Sequence, residues 1–378
     1  MKLMHLSDLH LGKRVNGFSQ IPDQKYILER ILEIVKEQAP DAVLIAGDVY
    51  DKSVPSAEAV ELCDWFLTRL AETGTRVMVT SGNHDSAERI AFGAKLLSGA
   101  GVHVSPVYDG TVTTVELEDE FGKVRFSLLP FLKPAHVRPF FPDTEITGYS
   151  DALETALAGC GREDDVRHVL IAHQLVTGAE RSESEDISVG GTDNIDATVF
   201  EGFDYVALGH LHRPQNVGKN LRYCGTPLKY SFSEASHEKS VTLVTLKEKG
   251  NVTIDTIPLK PLRDLKKIRG TYMELTARSY YAGTDLPECY LQVTLTDEDD
   301  IPDALGRLRA VYPYIMNLDY DNLRTRQQQN PLLEAAAPES SPLEFFNLLY
   351  EQQNNAPMAP EDSRYIQSLI ETIWRDEA

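Results

Sequence analysis

Short apolar runs alternate with stretches of helical period along the first hundred residues. Lys2–Leu6 is such a run, ending in Ser7-Asp8-Leu9-His10. Over 23–38 the apolar residues Ile27, Leu28, Ile31, Ile34 and Val35 return at helical spacing, which predicts an amphipathic helix stopped by Pro40. Ala42–Ala46, all small or branched apolar side chains, reads as a buried strand that halts at Gly47, with Asp48 on the turn beyond. Pro55 opens a second helix, to about residue 72. Arg76–Thr80 is a third strand, ending in Ser81-Gly82-Asn83-His84-Asp85, and a further helix covers 87–97. This order predicts a mostly parallel sheet with helices on its faces.

Strand-like segments then recur with fewer helices, at 110–117, 124–130, 167–172 and 204–208, with one helix at 151–158. Segment 167–172 delivers His173, and 204–208 delivers Gly209-His210-Leu211-His212. The runs 222–225, 241–246 and 252–257 read as a closing β-meander. The expected fold class is α/β: a two-sheet β-sandwich flanked by helices, over residues 1–258.

After Pro258 the composition shifts. Lys260, Arg263, Lys266, Lys267 and Arg269 make a basic connector, either a solvated linker or a phosphate contact. Strands at 272–275, Tyr290–Leu295 and Ile315–Tyr320, with a helix at 304–311, predict a small α+β unit over 262–328. Residues 330–341 are a linker rich in Ala, Pro, Glu and Ser, and two short helices follow over 341–378. Ser341-Pro342-Leu343-Glu344 fits a capping box, with Phe345, Phe346, Leu348, Leu349 and Tyr350 on the apolar side. The last helix puts Tyr365, Ile366, Leu369, Ile370, Ile373 and Trp374 on one stripe.

At 378 residues, 42% hydrophobic and 25% charged, this is an ordinary globular composition. The start is too short and polar for a secretory segment, and no run nears the roughly 20 apolar residues of a membrane span. Cys63, Cys160, Cys224 and Cys289 form no CxxC pair, so the expectation is a cytoplasmic protein with reduced thiols. The net charge of -21 argues against indiscriminate attraction to nucleic acid. It leaves room for a phosphate substrate, because bound cations would reverse the local field.

Five strand ends thus present Asp8 and His10, Asp48, Asn83 and His84, His173, and His210 and His212. In a parallel-type sheet such ends gather on one edge. Carboxylate, amide and imidazole donors without thiolate suit manganese, iron or zinc. A shared carboxylate can hold two ions roughly 3.5–4 Å apart, where they clamp a phosphoryl centre. His5, His103, His136, His168 and His237 fit no block and read as structural or surface residues.

The blocks Asp8-x-His10, Gly47-Asp48-x-x-Asp51, Gly82-Asn83-His84-Asp85, His173 and Gly209-His210-x-His212 resemble the calcineurin-like metallophosphoesterase signature. The resemblance implies two divalent metal ions. One would be held by Asp8, His10 and His212, the other by Asn83, His173 and His210, with Asp48 shared. It gives His84 the task of protonating the leaving oxygen or holding the phosphate, with Asp85 as its orienting partner. Asp51 could bond within its turn instead of touching metal.

The start Met-Lys-x-x-His-x-Ser-Asp-x-His-Leu-Gly-Lys, the run Ser81 to Ser86 followed by Glu88-Arg89, and Tyr223-Cys-Gly-Thr-Pro-Leu-Lys-Tyr-Ser231 narrow this further. They resemble the SbcD family, the nuclease subunits of bacterial SbcCD DNA-repair complexes. Lys52-Ser53 stands where protein phosphatases carry Arg-Gly. The resemblance implies a manganese-dependent enzyme degrading double-stranded DNA from its ends and nicking hairpins, in concert with the SbcC ATPase. It implies that 262–328 caps the DNA site, that 341–378 docks on the SbcC coiled coil, and that the helices near 56–72 and 87–97 form a homodimer surface. A phosphodiesterase for small molecules or nucleotides, and a non-catalytic adaptor, are the alternatives.

Overall fold

The computed structural model describes residues 1–160, 165–180, 194–299, 301–323, 325, 343, 346–347, 350 and 358–375. The chain divides into two units. One comprises Met1–Lys267, Asp285–Gln292 and Tyr312–Asn317; the other comprises Ile268–Thr284, Val293–Val311 and Leu318–Ala378.

In the first unit the apolar runs Lys2–Leu6, Ala42–Ala46, Arg76–Thr80 and Val102–Val104 pair in parallel, in that order. The hairpin Ser240–Leu246 with Val252–Pro258 adds on antiparallel, beside Lys2–Leu6. A second six-stranded sheet runs Gln215–Asn216, Leu221–Tyr223, Tyr205–Gly209, Arg167–His173, Gly122–Leu128, Thr113–Asp119.

The two-residue period of the strands sorts their side chains between faces. Leu3, Leu44, Ala46 and Met78 of the first sheet share one buried cluster with Phe126, Val169, Ile171 and Ala207 of the second. Their neighbours Met4, Val43, Ile45 and Val77 cluster instead with Ile27, Ile31 and Phe66 of the helices Ile21–Gln38 and Ala57–Glu72. Leu170, Ala172, Val206 and Leu208 pack with Ala152 and Leu153 of the helix Tyr149–Leu157. The expected two-sheet sandwich flanked by helices is what the chain forms.

Three local expectations are corrected. The helix over 87–97 is two short turns, Ala87–Ile90 and Ala94–Leu97, parted where Gly93 turns left-handed at φ 73°. The strand at 272–275 is a helix, Tyr272–Thr276. Thr271 accepts a hydrogen bond from the Glu274 N–H, and the Glu274 carboxylate takes the Thr271 N–H at 2.8 Å, which closes a capping box. The meander forms only in part, as the hairpin Ser240–Leu246 with Val252–Pro258, because Leu221–Tyr223 pairs in parallel with Tyr205–Gly209 in the second sheet.

The basic connector is largely ordered structure. Leu265–Gly270 is a strand in a three-stranded sheet with Tyr290–Leu295 and Ile315–Tyr320. Within the first unit Lys266 pairs with Asp285 at 2.6 Å, and the Arg263 guanidinium lies 4.4 Å from the Tyr314 ring centre. Within the second, Arg269 pairs with Asp321 at 2.6 Å. The last helix, Pro360–Arg375, is present, with Tyr365 and Leu369 exposed. The capping box expected at 341–344 lies outside the described residues, as do the side chains of Phe345, Leu348, Leu349, Ile373 and Trp374.

Candidate metal centre

Every proposed ligand comes from a strand end. Asp8 and His10 follow Lys2–Leu6, Asp48 follows Ala42–Ala46, and Asn83 and His84 follow Arg76–Thr80. His173 closes its strand, and His210 and His212 follow Tyr205–Gly209. Asp8, His10, Asp48 and His210 all have positive φ, at 53°, 44°, 49° and 106°. Side chains rarely adopt that region, at a cost of order 1–3 kcal/mol each, and such strain collects at functional sites. Neighbouring backbone enforces it: Asp8 N–H donates to the Gly47 carbonyl and His10 N–H to that of Asp48, each at 3.0 Å. Glycine is required where the turns crowd together. A β-carbon on Gly82 would collide with the Asp48 carboxylate, and one on Gly209 with the Ala46 carbonyl.

The turns bring the side chains into one buried cluster. His173 Nε2 lies 3.3 Å from Asp48 Oδ2 and 3.0 Å from Asn83 Oδ1. His210 Nδ1 lies 2.9 Å from that same Asn83 oxygen. On the other side of Asp48, His10 Nε2 stands 3.6 Å from Oδ2 and 3.2 Å from His212 Nε2. Asp8, His10 and His212 offer ligand atoms within 4.8 Å of one another, and so do Asp8, Asp48 and His173. The ring of His84 is partly open, 23% exposed, with Nε2 4.0 Å from Asp48 Oδ2, and Asn83 and His210 are also half-buried.

These contacts bring too many lone pairs together. His173 Nδ1 faces the Ala46 carbonyl at 2.9 Å, so that nitrogen carries the proton and bare Nε2 meets two oxygen acceptors. His212 Nδ1 faces the Glu234 carboxylate at 3.1 Å, which leaves its Nε2 bare against His10. Each meeting needs positive charge, a proton or a metal ion. The electrostatics say the same. Burial alone lowers the His173 pKa, but Asp48 and Asp8 raise it to about 9. Burial opposes the charge on Asp48, yet His173, His10 and His84 hold its carboxyl well below the usual range. Burial pushes Asp8 up to about 6, with Asp48 adding to the rise, and drives His10 well below an ordinary imidazole. Nitrogen and oxygen donors without sulfur fit two divalent cations of the manganese, iron or zinc kind.

Supporting residues emerge that motif reading missed. Glu234 is fully buried and bridges His212 to Lys239, whose ammonium lies 2.6 Å from Oε2 and 2.8 Å from the His212 carbonyl. A carboxylate behind an imidazole fixes its tautomer and raises its basicity. Gln24 donates to the His10 carbonyl at 2.7 Å, and Tyr230 to that of Leu9 at 2.6 Å, which pins the first turn. No spacing rule marks these positions, since each acts from a different element on a main-chain atom or a ring nitrogen.

One expected role is corrected. The Asp85 carboxylate accepts the N–H groups of Val49, Tyr50 and Gly82 at 3.1, 2.9 and 2.9 Å, stitching two ligand turns together. The His84 ring instead takes its orientation from the Asp51 carbonyl, 3.0 Å from Nδ1. The Asp51 side chain pairs with Lys13 at 2.7 Å.

The family model for calcineurin-like phosphoesterases matches residues 1–214. A relative, the SbcD component of the SbcCD nuclease of Staphylococcus epidermidis, is 33% identical over 323 residues, 84% of this chain and 85% of that one. The chain belongs to the SbcD family of calcineurin-like phosphoesterases. Residues 261–354 match a second model, described as the type 5 capsule protein repressor C-terminal domain. As an SbcD-family member the chain is a phosphodiester hydrolase. Among solved structures it aligns with a dimetal phosphatase from Danio rerio at 12% identity, covering 69% of this chain and 99% of that one with a TM-score of 0.39. No helix among the described residues is long and apolar enough to cross a membrane.

Proposed function

We propose that this SbcD-family chain is a DNA nuclease that works with an SbcC-type ATPase, cutting duplex ends and hairpins at a centre of two manganese ions. Asp8, His10 and His212 hold one ion and Asn83, His173 and His210 the other, with Asp48 common to both. The observation that carries this is the set of bare ring nitrogens and acceptor oxygens turned toward one another around Asp48. The cations supply neutralisation of the phosphate charge and a water acidic enough to ionise near neutral pH.

The chain's own residues do the rest. His84 commits Nδ1 to the Asp51 carbonyl, so as imidazolium it presents Nε2–H on the open side of the cluster. There it donates a proton to the leaving oxygen, a contribution of roughly 10²–10⁴ in rate. Asn83 supplies an uncharged ligand, which spares an incoming phosphate a further negative neighbour. Asp85 keeps the turns of Asp48 and Asn83 in register.

In this reading 262–328 caps the DNA, and the 341–378 tail docks on the ATPase through the stripe that includes Tyr365 and Leu369. Phe92 and Leu96, each 85% exposed, and Val60, 45% exposed, carry a homodimer surface. Leu62, Phe66 and Leu70 are buried in the first unit and belong to its core. Double substitution of Phe92 and Leu96 to Asp is expected to leave a monomer in sedimentation.

The deciding experiment is cleavage of an end-labelled linear duplex in manganese, with wild type and His84→Gln, with and without the SbcC-type ATPase and ATP. The expected result is cleavage that His84→Gln abolishes at unchanged metal content and that the partner with ATP stimulates. Hydrolysis of a simple phosphodiester with no DNA cut under any condition would leave the metal centre and remove DNA as substrate.

A further inference from the structure

Acids outnumber bases in this chain by 58 to 37, so a concave surface without an acid on it stands out. A groove of about 400 Å³ in the first unit is such a place. It is lined by the hairpin that pairs Arg14–Val15 with Phe18–Ser19, by residues 230–233, and by the strand positions Lys267, Gln292 and Asn317. No carboxylate among the described residues lines it. The cavity beside Trp65, by contrast, carries Glu29, Glu33 and Glu72, and the one beside Phe66 carries Asp64 and Glu72. The charged side chains of the groove are Arg14 and Lys267, both exposed. Neither forms an ion pair among the described residues, although Lys266, next along the strand, is held by Asp285 at 2.6 Å.

The neutral lining is built to donate. Asn16 and Gly17 take positive φ, 45° and 84°, as the two-residue turn of a tight hairpin requires, and that turn presents Arg14 and Asn16 to the groove. Ser231 Oγ accepts from the Ser233 hydroxyl at 2.9 Å and from the Ser233 N–H at 3.1 Å, which leaves its own proton to give. Gln292 and Asn317 add amide side chains. Cations, hydroxyls and amides are the groups that proteins turn to nucleic-acid phosphates, and such contacts carry no preference for base. The position fits as well. Tyr230 lines the groove and sets its ring edge-on to those of His10 and His212, with centroids 5.8 and 6.3 Å apart. One side chain thus separates the groove from two of the proposed metal ligands.

We infer that this groove seats the sugar-phosphate backbone of the strand being cut, with Lys267 and Arg14 each on a phosphate beyond the scissile bond. The inference rests on the nuclease reading of the metal centre and adds the path that the strand takes from it. An excess of carboxylates repels a polyanion, so an acid-free gap with two unpaired cations steers the backbone without reading sequence. A small phosphodiester or a mononucleotide would end at the metals and leave the groove empty.

The test is binding of a fluorescent duplex to the His84→Gln chain in manganese, which is expected to hold metal and leave the duplex whole. Anisotropy across roughly 50 to 200 mM salt gives the slope of log affinity against log salt, to which each phosphate contact contributes about 0.9. Lys267→Met and Arg14→Met are each expected to reduce that slope by about 0.9, equally for duplexes of unrelated sequence, and Lys267→Arg to keep it. Lys219 is exposed before Leu221–Tyr223, at the end of the second sheet away from the metal-bearing turns. Lys219→Met removes the same charge and is expected to leave the slope as it was. Unchanged slopes in both groove variants, or an equal drop in Lys219→Met, would overturn the groove and spare the nuclease reading. No duplex binding by the parent chain would overturn both.

Discussion

His212 shows how much one residue away from the metal can decide. Glu234 faces Nδ1, so Nε2 is the nitrogen turned toward His10 and the proposed metal, and Lys239 secures both the carboxylate and the His212 backbone. The ammonium and the His212 ring together hold the Glu234 carboxyl well below its usual range against the effect of burial. Glu234→Gln keeps the shape but weakens the anchor, and is expected to lower manganese affinity by roughly 10–100-fold in a calorimetric titration. The proposed ligands are legible in the sequence because each stands on a strand-end turn in a motif. The sequence conceals Glu234, which sits in the short turn Phe232–Glu234 with no neighbouring residue to mark it. Asp85 was legible as part of a motif but not in its role, because its partners are backbone N–H groups that any sequence would supply.

Elements were legible where one local signal ruled. Ala42–Ala46 is a continuous apolar run, as burial on both faces demands, Arg76–Thr80 has an apolar centre at Val77, Met78 and Val79, and both form as expected. Tyr272–Thr276 misleads because Tyr, Met and Leu suit a strand, while the Thr271–Glu274 box outside the apolar pattern settles a helix. Part of the meander was misread because neighbours in sequence need not be neighbours in a sheet, and only pairing assigns Leu221–Tyr223 to the second one. The site also depends on how closely elements approach. Gly209 stands where the second sheet meets the Ala46 carbonyl of the first, so Gly209→Ala forces the strands apart. An expected loss of about 3 kcal/mol, the upper part of the overpacking range, is measurable by urea unfolding.

At the scale of the molecule the charge of -21 is an excess of carboxylates, yet individual acids are matched locally. Arg167, 2% exposed, is bound by the Asp119 carboxylate and by the carbonyls of Gly122 and Lys247. Burial would raise Asp119, yet Arg167 and the amino terminus hold it well below an ordinary carboxyl. A depressed carboxyl lends stability that is complete above its unfolded pKa of about 3.9 and fades as pH falls toward its folded value. Asp119→Asn is therefore expected to cost about 3 kcal/mol at pH 7, by leaving a buried guanidinium short of a partner. Denaturant curves should show that gap shrinking once the pH drops below about 4. Domain-level expectations follow this logic only partly, since the connector read as either a solvated linker or a phosphate contact, while its Lys266 and Arg269 lie at the surface paired with Asp285 and Asp321.

The left-handed backbone at Asp8, His10, Asp48 and His210 means that the fold and the site pull in opposite directions. Four strained residues would together oppose folding by several kcal/mol, a large share of the roughly 5–15 kcal/mol by which a domain is stable. Cation binding works against that deficit, so chelation is expected to lower the Tm in calorimetry as well as to stop hydrolysis. A glycine at 210 relieves the bend, and His210→Gly should melt higher than wild type in chelator yet lose that advantage in manganese. Stability alone therefore disfavours a side chain at each of these four bends, and only a bound cation would offset what they cost.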